Sequence, residues 1–362
     1  MNKNLSLVVV GCLFVSSLNA SEIKSIFSKG TVSGDVTMYG EQQNNNGLNK
    51  DAGFSMGSIG LGYETANFSG FKAAVGFRGN HKFTEVEDRD YDAGNIDYPT
   101  ALMHAANISY KNDYFSLTLG RQEIDLEWMG DFHEAYIGTI TALEDTTIVV
   151  GHSDRIAVAD SDAVLESFAN LGNYGINVID IKYKGIEGLS LNGYFYDIRN
   201  IADFYGVKVD YDNSVFGFTT QYAFSNEGSV TANDGSILQA EIRGDYSKFG
   251  LNIGYISTNK KAGIGSMDMA GDNINPLEDG NQVYEKNANT MYLGIGYELN
   301  KLALNAMYGS TKYGSERENE INFIAEYGIT DEFSMEAIFV NVDANDGDDD
   351  YNKFALIANY TF

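Results

Sequence analysis

Segments of alternating hydrophobicity constrain the fold of this chain more than any other feature. The segment 237–246 carries Leu238, Ala240, Ile242, Gly244 and Tyr246 on one face, and Gln239, Glu241, Arg243 and Asp245 on the other. A period of two indicates a strand whose two faces meet different surroundings. About eighteen such segments, most of them near ten residues long, follow one another from Thr31 to Phe362.

The connections between these segments alternate between tight turns and long links. Lys111-Asn112-Asp113 and Ser247-Lys248 are tight, whereas 81–100 and the acidic stretch 259–290 are long. Such a regular separation is typical of an up-and-down barrel in a membrane, and a soluble sandwich has no reason for it. We therefore predict an all-β, transmembrane, antiparallel up-and-down β-barrel of about eighteen strands, with about sixteen as the alternative. The short turns are expected to be periplasmic, and the long links, including 259–290, to be extracellular loops.

Aromatic residues stand beside the tight turns. Tyr110 and Phe115 flank one turn, Tyr246 and Phe249 flank another, and Phe362 ends the chain. Amphipathic rings at this level are typical of the boundary between lipid and water. The pattern therefore favours a membrane barrel over a soluble core.

The N terminus has the character of a secretory signal. A basic start is followed by the apolar run Leu5–Val15 and by small residues up to Ala20. This order predicts a signal peptide at 1–20 and a barrel domain at 21–362. Val9-Val10-Gly11-Cys12 resembles a lipoprotein processing site, but cleavage there leaves too short an apolar core. Loss of Cys12, the single cysteine, excludes a disulfide framework.

Composition and motifs argue against nucleic-acid binding and catalysis. The formal charge of −27 disfavours phosphate backbones as partners. His152-Ser153-Asp154 contains the residue types of a triad, but neighbouring strand residues point to opposite faces and cannot converge. No metalloprotease, CxxC or phosphate-loop motif is present in the sequence. We predict no enzyme activity and no cofactor, and an adhesion or structural barrel remains an alternative.

A barrel of about eighteen strands is too wide for its own side chains to fill, so it contains a channel or a plug. The third long-side connection, Ile124–His133, is the candidate constriction, with an exposed hairpin loop as the alternative. The predicted pore residues are Asp125, Glu127, Trp128 and Asp131 from this loop, and Arg78, Lys208, Glu241 and Arg243 from lumen-facing strand positions. Parity directs Arg121 toward lipid, although a bulge or snorkelling leaves its direction open.

The sequence resembles the Opr-type (OprD-like) outer-membrane porins of Gram-negative bacteria. The residues that carry the resemblance are Leu117–Gln122, Gly130-Asp131-Phe132, the Ala135–Leu143 hairpin and the terminal Tyr360-Thr361-Phe362. The resemblance implies an outer-membrane barrel that packs as a homotrimer, and it implies that Tyr360 and Phe362 signal to the barrel-insertion machinery. Such porins take small carboxylates, amino acids or peptides past a ladder of basic residues. This chain has scattered bases among many acids instead.

The predicted function is a water-filled channel for passive diffusion of ions and small hydrophilic solutes, surrounded by outer-membrane lipid. The acidic loops predict a modest cation preference. A channel specific for small organic acids or peptides is the alternative. For the acidic loop 343–350 we hypothesise weak binding of divalent cations.

Overall fold

The computed structural model describes residues 20–47, 49–92, 98–229, 232–344 and 349–362. Over these residues one helix, α1 (Ala20–Ser28), precedes nineteen strands that form a single sheet. The strands are β1 (Thr31–Asn45), β2 (Ala52–Glu64), β3 (Phe71–Glu85), β4 (Ala101–Lys111), β5 (Phe115–Glu123), β6 (Phe132–Leu143), β7 (Thr146–Ala157), β8 (Ala169–Asn170), β9 (Ile176–Ile186), β10 (Leu189–Ile198), β11 (Ala202–Asp212), β12 (Phe216–Glu227), β13 (Gly235–Tyr246), β14 (Phe249–Thr258), β15 (Ala288–Leu299), β16 (Leu302–Tyr313), β17 (Glu316–Gly328), β18 (Phe333–Asp343) and β19 (Tyr351–Thr361).

The sheet is a closed antiparallel barrel. Successive long strands pair with each other, β7 pairs with β9, and β19 pairs back to β1. The two-residue β8 only extends the edge of β7, so that eighteen strands of the described chain build the wall. The predicted up-and-down barrel of about eighteen strands is therefore confirmed.

The last residue helps to close the barrel. The Phe362 amide donates to the Gly34 carbonyl, and the Gly34 amide donates to the Phe362 carbonyl, both over 3.0 Å. A Cβ on Gly34 would lie 2.6 Å from the Phe362 ring, so a glycine is needed here. These bonds satisfy backbone groups that an open sheet would leave unpaired.

Outward-facing strand positions are apolar, as the alternation predicts. Phe354, Leu356 and Tyr360 of β19 are each close to half exposed on the outer surface. Rings beside the short turns form a band, in which Phe71 contacts Tyr110 and Phe249 contacts Tyr297 with centroids 4.7 and 4.8 Å apart. The predicted aromatic band is present at the short-turn side of the barrel.

Three loops on the side opposite the short turns fold into the barrel. Counted in chain order on that side, they are L3 (residues 124–131), L4 (158–175, including β8) and L7 (259–287). L3 and L7 contribute buried apolar residues to a core that lies inside the lumen against β10–β14. The side chains of this core include Trp128 and Met129 of L3, Ile264, Met267, Ile274, Leu277 and Val283 of L7, and Tyr194, Tyr196, Phe204, Ala223, Ile237 and Ile256 of the wall. The connection 259–290, predicted as an extracellular loop, therefore does not project from the barrel but folds into the lumen, because burial of its apolar residues draws it inward.

Two further sequence predictions lie largely outside the described residues. The predicted signal peptide covers 1–20, of which only Ala20 belongs to the described chain, as the first residue of α1. Residues 345–348 of the acidic loop 343–350 are also outside it. At the edge of that loop, the Asp350 carboxylate accepts a hydrogen bond from the Ala344 amide (2.8 Å).

Candidate functional site

L3 is held against one side of the lumen by its tryptophan. Trp128 is fully buried, its indole N–H donates to the Tyr194 hydroxyl over 3.2 Å, and its backbone N–H donates to the Tyr196 hydroxyl over 3.3 Å. Gln221 of β12 also donates to the Tyr194 hydroxyl (2.8 Å). The loop contains Gly130 at its bend and an indole whose N–H must find a partner when it is buried. L3 is thus an inward loop rather than an exposed hairpin.

An ion pair fixes the same loop to the barrel wall. The Lys208 ammonium lies 3.1 and 3.0 Å from the two carboxylate oxygens of Glu127, and the Glu127 side chain is largely buried. Lys208 projects inward from β11, as the alternation predicts. Both charges are therefore used within the pair and contribute little to the field along an ion path.

L7 packs directly on L3. The Gly130 amide donates to the Ala270 carbonyl (2.8 Å), and Asn273 donates to the Asp125 carboxylate (3.1 Å). Gly271, the residue after Ala270, has φ +97°, and a Cβ there would lie 2.7 Å from the Gly130 nitrogen. The close approach of the two backbones therefore needs glycine at position 271.

The predicted basic residues of the wall are also paired with acids. Arg78 makes a two-pronged contact with Asp35 (2.7 and 2.6 Å). Arg243 lies 2.7 Å from Asp210 and 3.5 Å from Glu241, and Glu241 also accepts from Asn252 and from the Tyr292 hydroxyl. Bidentate and networked pairs of this kind fix side chains and cancel their net charge.

L4 brings carboxylates to the inner face of β3. The buried Asn80 of β3 donates to the Ala163 carbonyl of L4 over 2.9 Å, which ties the loop to the wall four strands from β7, where the loop begins. Asp160 and Asp162 precede this contact and are exposed on the loop. Enclosure by the barrel raises the pKa of Asp160, Asp162 raises it further, and Arg78 opposes the rise.

The tip of L7 reaches the same region from the other side. Glu278 is exposed, and the next two residues are bound to β17 and β19. Burial raises the pKa of the Glu278 carboxyl, Lys353 lowers it, and neighbouring carboxylates that include Asp162 raise it. Among the residues that the structure describes, Asp160, Asp162 and Glu278 make no ion pair. We call these three residues the acidic eyelet.

Asp131 lies at the end of L3 that faces L4. Its φ is +65°, and burial raises the pKa of its carboxyl to about 6, with Asp160, Glu166 and Glu123 adding to the rise. It is thus ionised at neutral pH but loses its charge in mild acid. This residue brings one of the acids predicted from L3 close to the carboxylates of L4.

The predicted pore residues consequently fall into separate groups. Glu127 with Lys208, Arg78 with Asp35, and Glu241 with Arg243 are paired structural contacts, and Trp128 anchors L3. Asp131 alone of the predicted acids borders Asp160. The sequence does not predict the acidic eyelet, because the long links, which include L4 and L7, are expected to be extracellular loops. The signal was available in L7, where apolar residues recur throughout an otherwise acidic stretch.

Arg121, whose direction the sequence left open, lies at the outer end of β5. It pairs with Glu134 (2.7 Å), donates to the Met103 carbonyl and stacks over the Phe168 ring at 4.2 Å. Glu134 shares its face of β6 with Tyr136, which is half exposed on the outside. Arg121 therefore satisfies its charge locally and takes no part in the acidic eyelet.

The arrangement of the histidines offers no catalytic constellation. His152 contacts Asp154 (3.1 Å), whereas the Ser153 hydroxyl bonds to His133 (2.9 Å) on the other face of the strand. Within the described ranges, no group of three or more His, Cys, Asp or Glu side chains is placed to hold a metal ion. No helix in the described part of the chain is long and apolar enough to cross a membrane.

A closed barrel with an apolar outer surface, and with loops that fold into its lumen, is the architecture of a membrane channel of the porin class. The chain belongs to the Gram-negative porin family, whose model matches residues 6–362. It is accordingly an outer-membrane channel protein and not an enzyme. The resemblance to Opr-type porins is confirmed.

Solved structures share the whole architecture at low sequence identity. Acinetobacter baumannii OccAB4 is 14% identical, with a TM-score of 0.76 over 92% of this chain and 99% of that one. Pseudomonas aeruginosa OpdO is 12% identical, with a TM-score of 0.76 over 94% and 99%. Pseudomonas aeruginosa OccK9 (OpdG) is 13% identical, with a TM-score of 0.75 over 93% and 99%. No curated protein sequence matches the chain.

Proposed function

We propose that this porin is a water-filled channel for passive diffusion of ions and small hydrophilic solutes, with a modest preference for cations. The observation that carries the proposal is the asymmetry between the lumen charges. Arg78, Lys208 and Arg243 each contact a carboxylate, whereas the acidic eyelet makes no ion pair in the described chain. Unpaired carboxylates beside a confined path attract cations and repel anions.

The apolar core of L3 and L7 lies against β10–β14, and we infer that solutes pass on the side of β1–β3 and β17–β19, next to the acidic eyelet. There L4 and L7 approach from two directions. A solute that crosses the barrel therefore comes close to carboxylates from both loops.

A channel specific for small organic acids is the competing function. It requires bases that are free to meet a carboxylate, and the four inward-facing bases Arg78, Lys208, Arg243 and Lys353 each contact an acid. The charge arrangement therefore favours the cation-preferring channel.

The test is a single-channel recording of the purified full chain in a potassium chloride gradient. We expect a potassium-to-chloride permeability ratio above one that decreases as salt concentration rises, because screening removes long-range attraction. A channel that prefers chloride at low salt contradicts the proposal. Liposome swelling with uncharged sugars distinguishes a pore from an adhesion or structural barrel, which would not admit them.

We also propose three features of assembly on the basis of the sequence and its resemblance. Residues 1–20 are removed as a signal peptide, Tyr360 and Phe362 are read by the barrel-insertion machinery, and the barrels associate as a homotrimer. The mass of the intact protein isolated from outer membranes tests the cleavage, and its mass in detergent tests the trimer. A mass that includes residues 1–20, or a monomer under mild extraction, would contradict the respective proposal.

A further inference from the structure

The tip of L7 is bound by one buried carboxylate of β17, two strands along the wall from β15, where the loop ends. The backbone N–H of Asp279 donates to Glu320 Oε1 over 3.0 Å, and that of Gly280 donates to Glu320 Oε2 over 2.8 Å. The Asn322 side chain donates to the same Oε1 over 2.6 Å. Glu320 projects inward from β17 and is only 1% exposed. Its two oxygens thus hold consecutive amides of a loop that begins on other strands.

The backbone at the tip is shaped for this contact. Gly280 has φ +55°, and a Cβ there would lie 2.1 Å from the Asn275 side chain. A left-handed residue of this kind turns successive N–H groups toward one point, which makes a concave site for an anion. The carboxylate of Glu320 occupies this concavity.

A second set of contacts holds the same tip to β19. The Tyr351 hydroxyl donates to the Asp279 carboxylate over 2.7 Å, and Lys353 pairs with that carboxylate. The Asn281 side chain donates to the Tyr351 hydroxyl over 2.8 Å. L7 therefore folds into the lumen from β14 and β15, and its tip is bound to β17 and β19, two and four strands beyond β15.

We propose that Glu320 is a positioning residue that holds the tip of L7 inside the lumen, and that it thereby sets both the cross-section and the ion preference of the channel. This inference rests on the proposed channel function, since Glu278 of the acidic eyelet immediately precedes the two clamped amides. Release of the tip widens the path and removes Glu278 from it. Conductance then rises while the preference for cations falls.

Because conductance rises while cation preference falls, the two measurements together distinguish a positioning role of Glu320 from a purely electrostatic one. A carboxylate that acts only through its field gives a lower cation preference and an unchanged or lower conductance when it is neutralised. Glu326 is the matched control, because it lies on the same face of β17, opposite Glu336, and makes no hydrogen bond to L7 within the described chain. Glu326→Gln removes the same charge and none of the bonds to L7.

The experiment compares Glu320→Gln, Glu320→Ala and Glu326→Gln in planar bilayers. The amide of Gln loses at least one of the two backbone acceptors, so we expect the ratio of docked to undocked L7 to fall about tenfold or more, which corresponds to about 1.4 kcal/mol. Both Glu320 variants should show a higher mean conductance, more open-channel flicker and a lower potassium-to-chloride ratio. Glu326→Gln should keep the wild-type conductance.

Hydrogen exchange of the Asp279 and Gly280 amides gives a readout that does not depend on conduction. We expect exchange at least about tenfold faster in Glu320→Gln than in the wild type and in Glu326→Gln. Wild-type exchange and conductance in Glu320→Gln would overturn the clamp, while the channel function would stand. A wild-type barrel that does not conduct, together with faster exchange in the variant, would refute the channel function and leave the clamp. Heat-modifiable migration verifies folding, and if Glu320→Ala fails to fold, the isosteric Glu320→Gln decides.

Discussion

Neutralising the acidic eyelet is the perturbation that most directly tests how this porin discriminates between ions. The variant is the triple change Asp160→Asn, Asp162→Asn and Glu278→Gln, which keeps side-chain volume. An ion about 5 Å from a carboxylate in water gains or loses about 0.8 kcal/mol, and the Debye screening of 0.1 M salt reduces this to about 0.5 kcal/mol. Because potassium gains what chloride loses, each ionised carboxylate favours potassium by about 1 kcal/mol, or about fivefold.

The three contributions do not simply multiply. The pKa values of Asp160 and Glu278 are raised, and the nearby Arg78 and Lys353 oppose their charge. We therefore expect the triple variant to lower the potassium-to-chloride permeability ratio by about tenfold at low salt, and by less at high salt. The ratio follows from the reversal potential in a salt gradient.

Asp154→Asn supplies a matched control for this measurement. Asp154 is an exposed carboxylate that contacts His152, which stacks on the outward-facing Tyr136, away from the lumen. Its neutralisation should leave the permeability ratio within about a factor of two of the wild type. An unchanged ratio in the triple variant, or an equal change in the control, would show that the eyelet does not select ions.

Three further outcomes follow from single contacts. As pH falls from 8 to 5, the potassium-to-chloride permeability ratio should decrease most steeply near pH 6, because the pKa of Asp131 is raised to about 6 and its carboxyl is protonated below that value. Asp131→Asn should flatten this step. An identical pH profile in the variant would show that Asp131 does not cause it. Lys208→Met leaves Glu127 buried without its partner, which should destabilise the docked L3 by about 3–5 kcal/mol and lower the midpoint of urea unfolding. Adding Glu127→Gln should recover part of the lost stability. If it does not, the result contradicts the pairing of Lys208 with Glu127. Removal of Phe362 should reduce the heat-modifiable outer-membrane form, because the residue closes the barrel against Gly34; normal surface exposure of the truncated chain contradicts this expectation.

The barrel wall could be predicted from the sequence because its physical constraint is local. Every backbone N–H and C=O in a membrane must be satisfied, and a closed sheet with one lipid-facing side achieves this with a period of two. That period is visible in single segments, such as the one with Leu238 and Ile242 outside and Glu241 and Arg243 inside. The same period of two predicts that Lys208 and Arg78 face the lumen.

The loops that shape the lumen could not be predicted in the same way, because their contacts link distant parts of the chain. Asn80 binds Ala163, and Glu320 binds the amides of Asp279 and Gly280, at separations that no local pattern encodes. The sequence predicts L3 as the constriction because it carries the single tryptophan of the chain beside three acids. L4 has no such marker, and its carboxylates resemble those of any solvated acidic loop.

The division between wall and loops explains how one barrel accommodates different charge patterns in its lumen. Outer positions must be apolar and the closing strand must meet β1, but a lumen position needs only a side chain that water or a partner can satisfy. Structural neighbours of 12–14% identity can therefore keep a TM-score of 0.75 or 0.76 to this chain. Ion preference is then set by which charges remain unpaired. In this porin the wall bases Arg78, Lys208 and Arg243 each contact an acid, whereas the exposed carboxylates Asp160, Asp162 and Glu278 of L4 and L7 make no ion pair in the described chain. The proposed cation preference, and the proposed positioning of L7 by Glu320, therefore depend on a small number of loop residues.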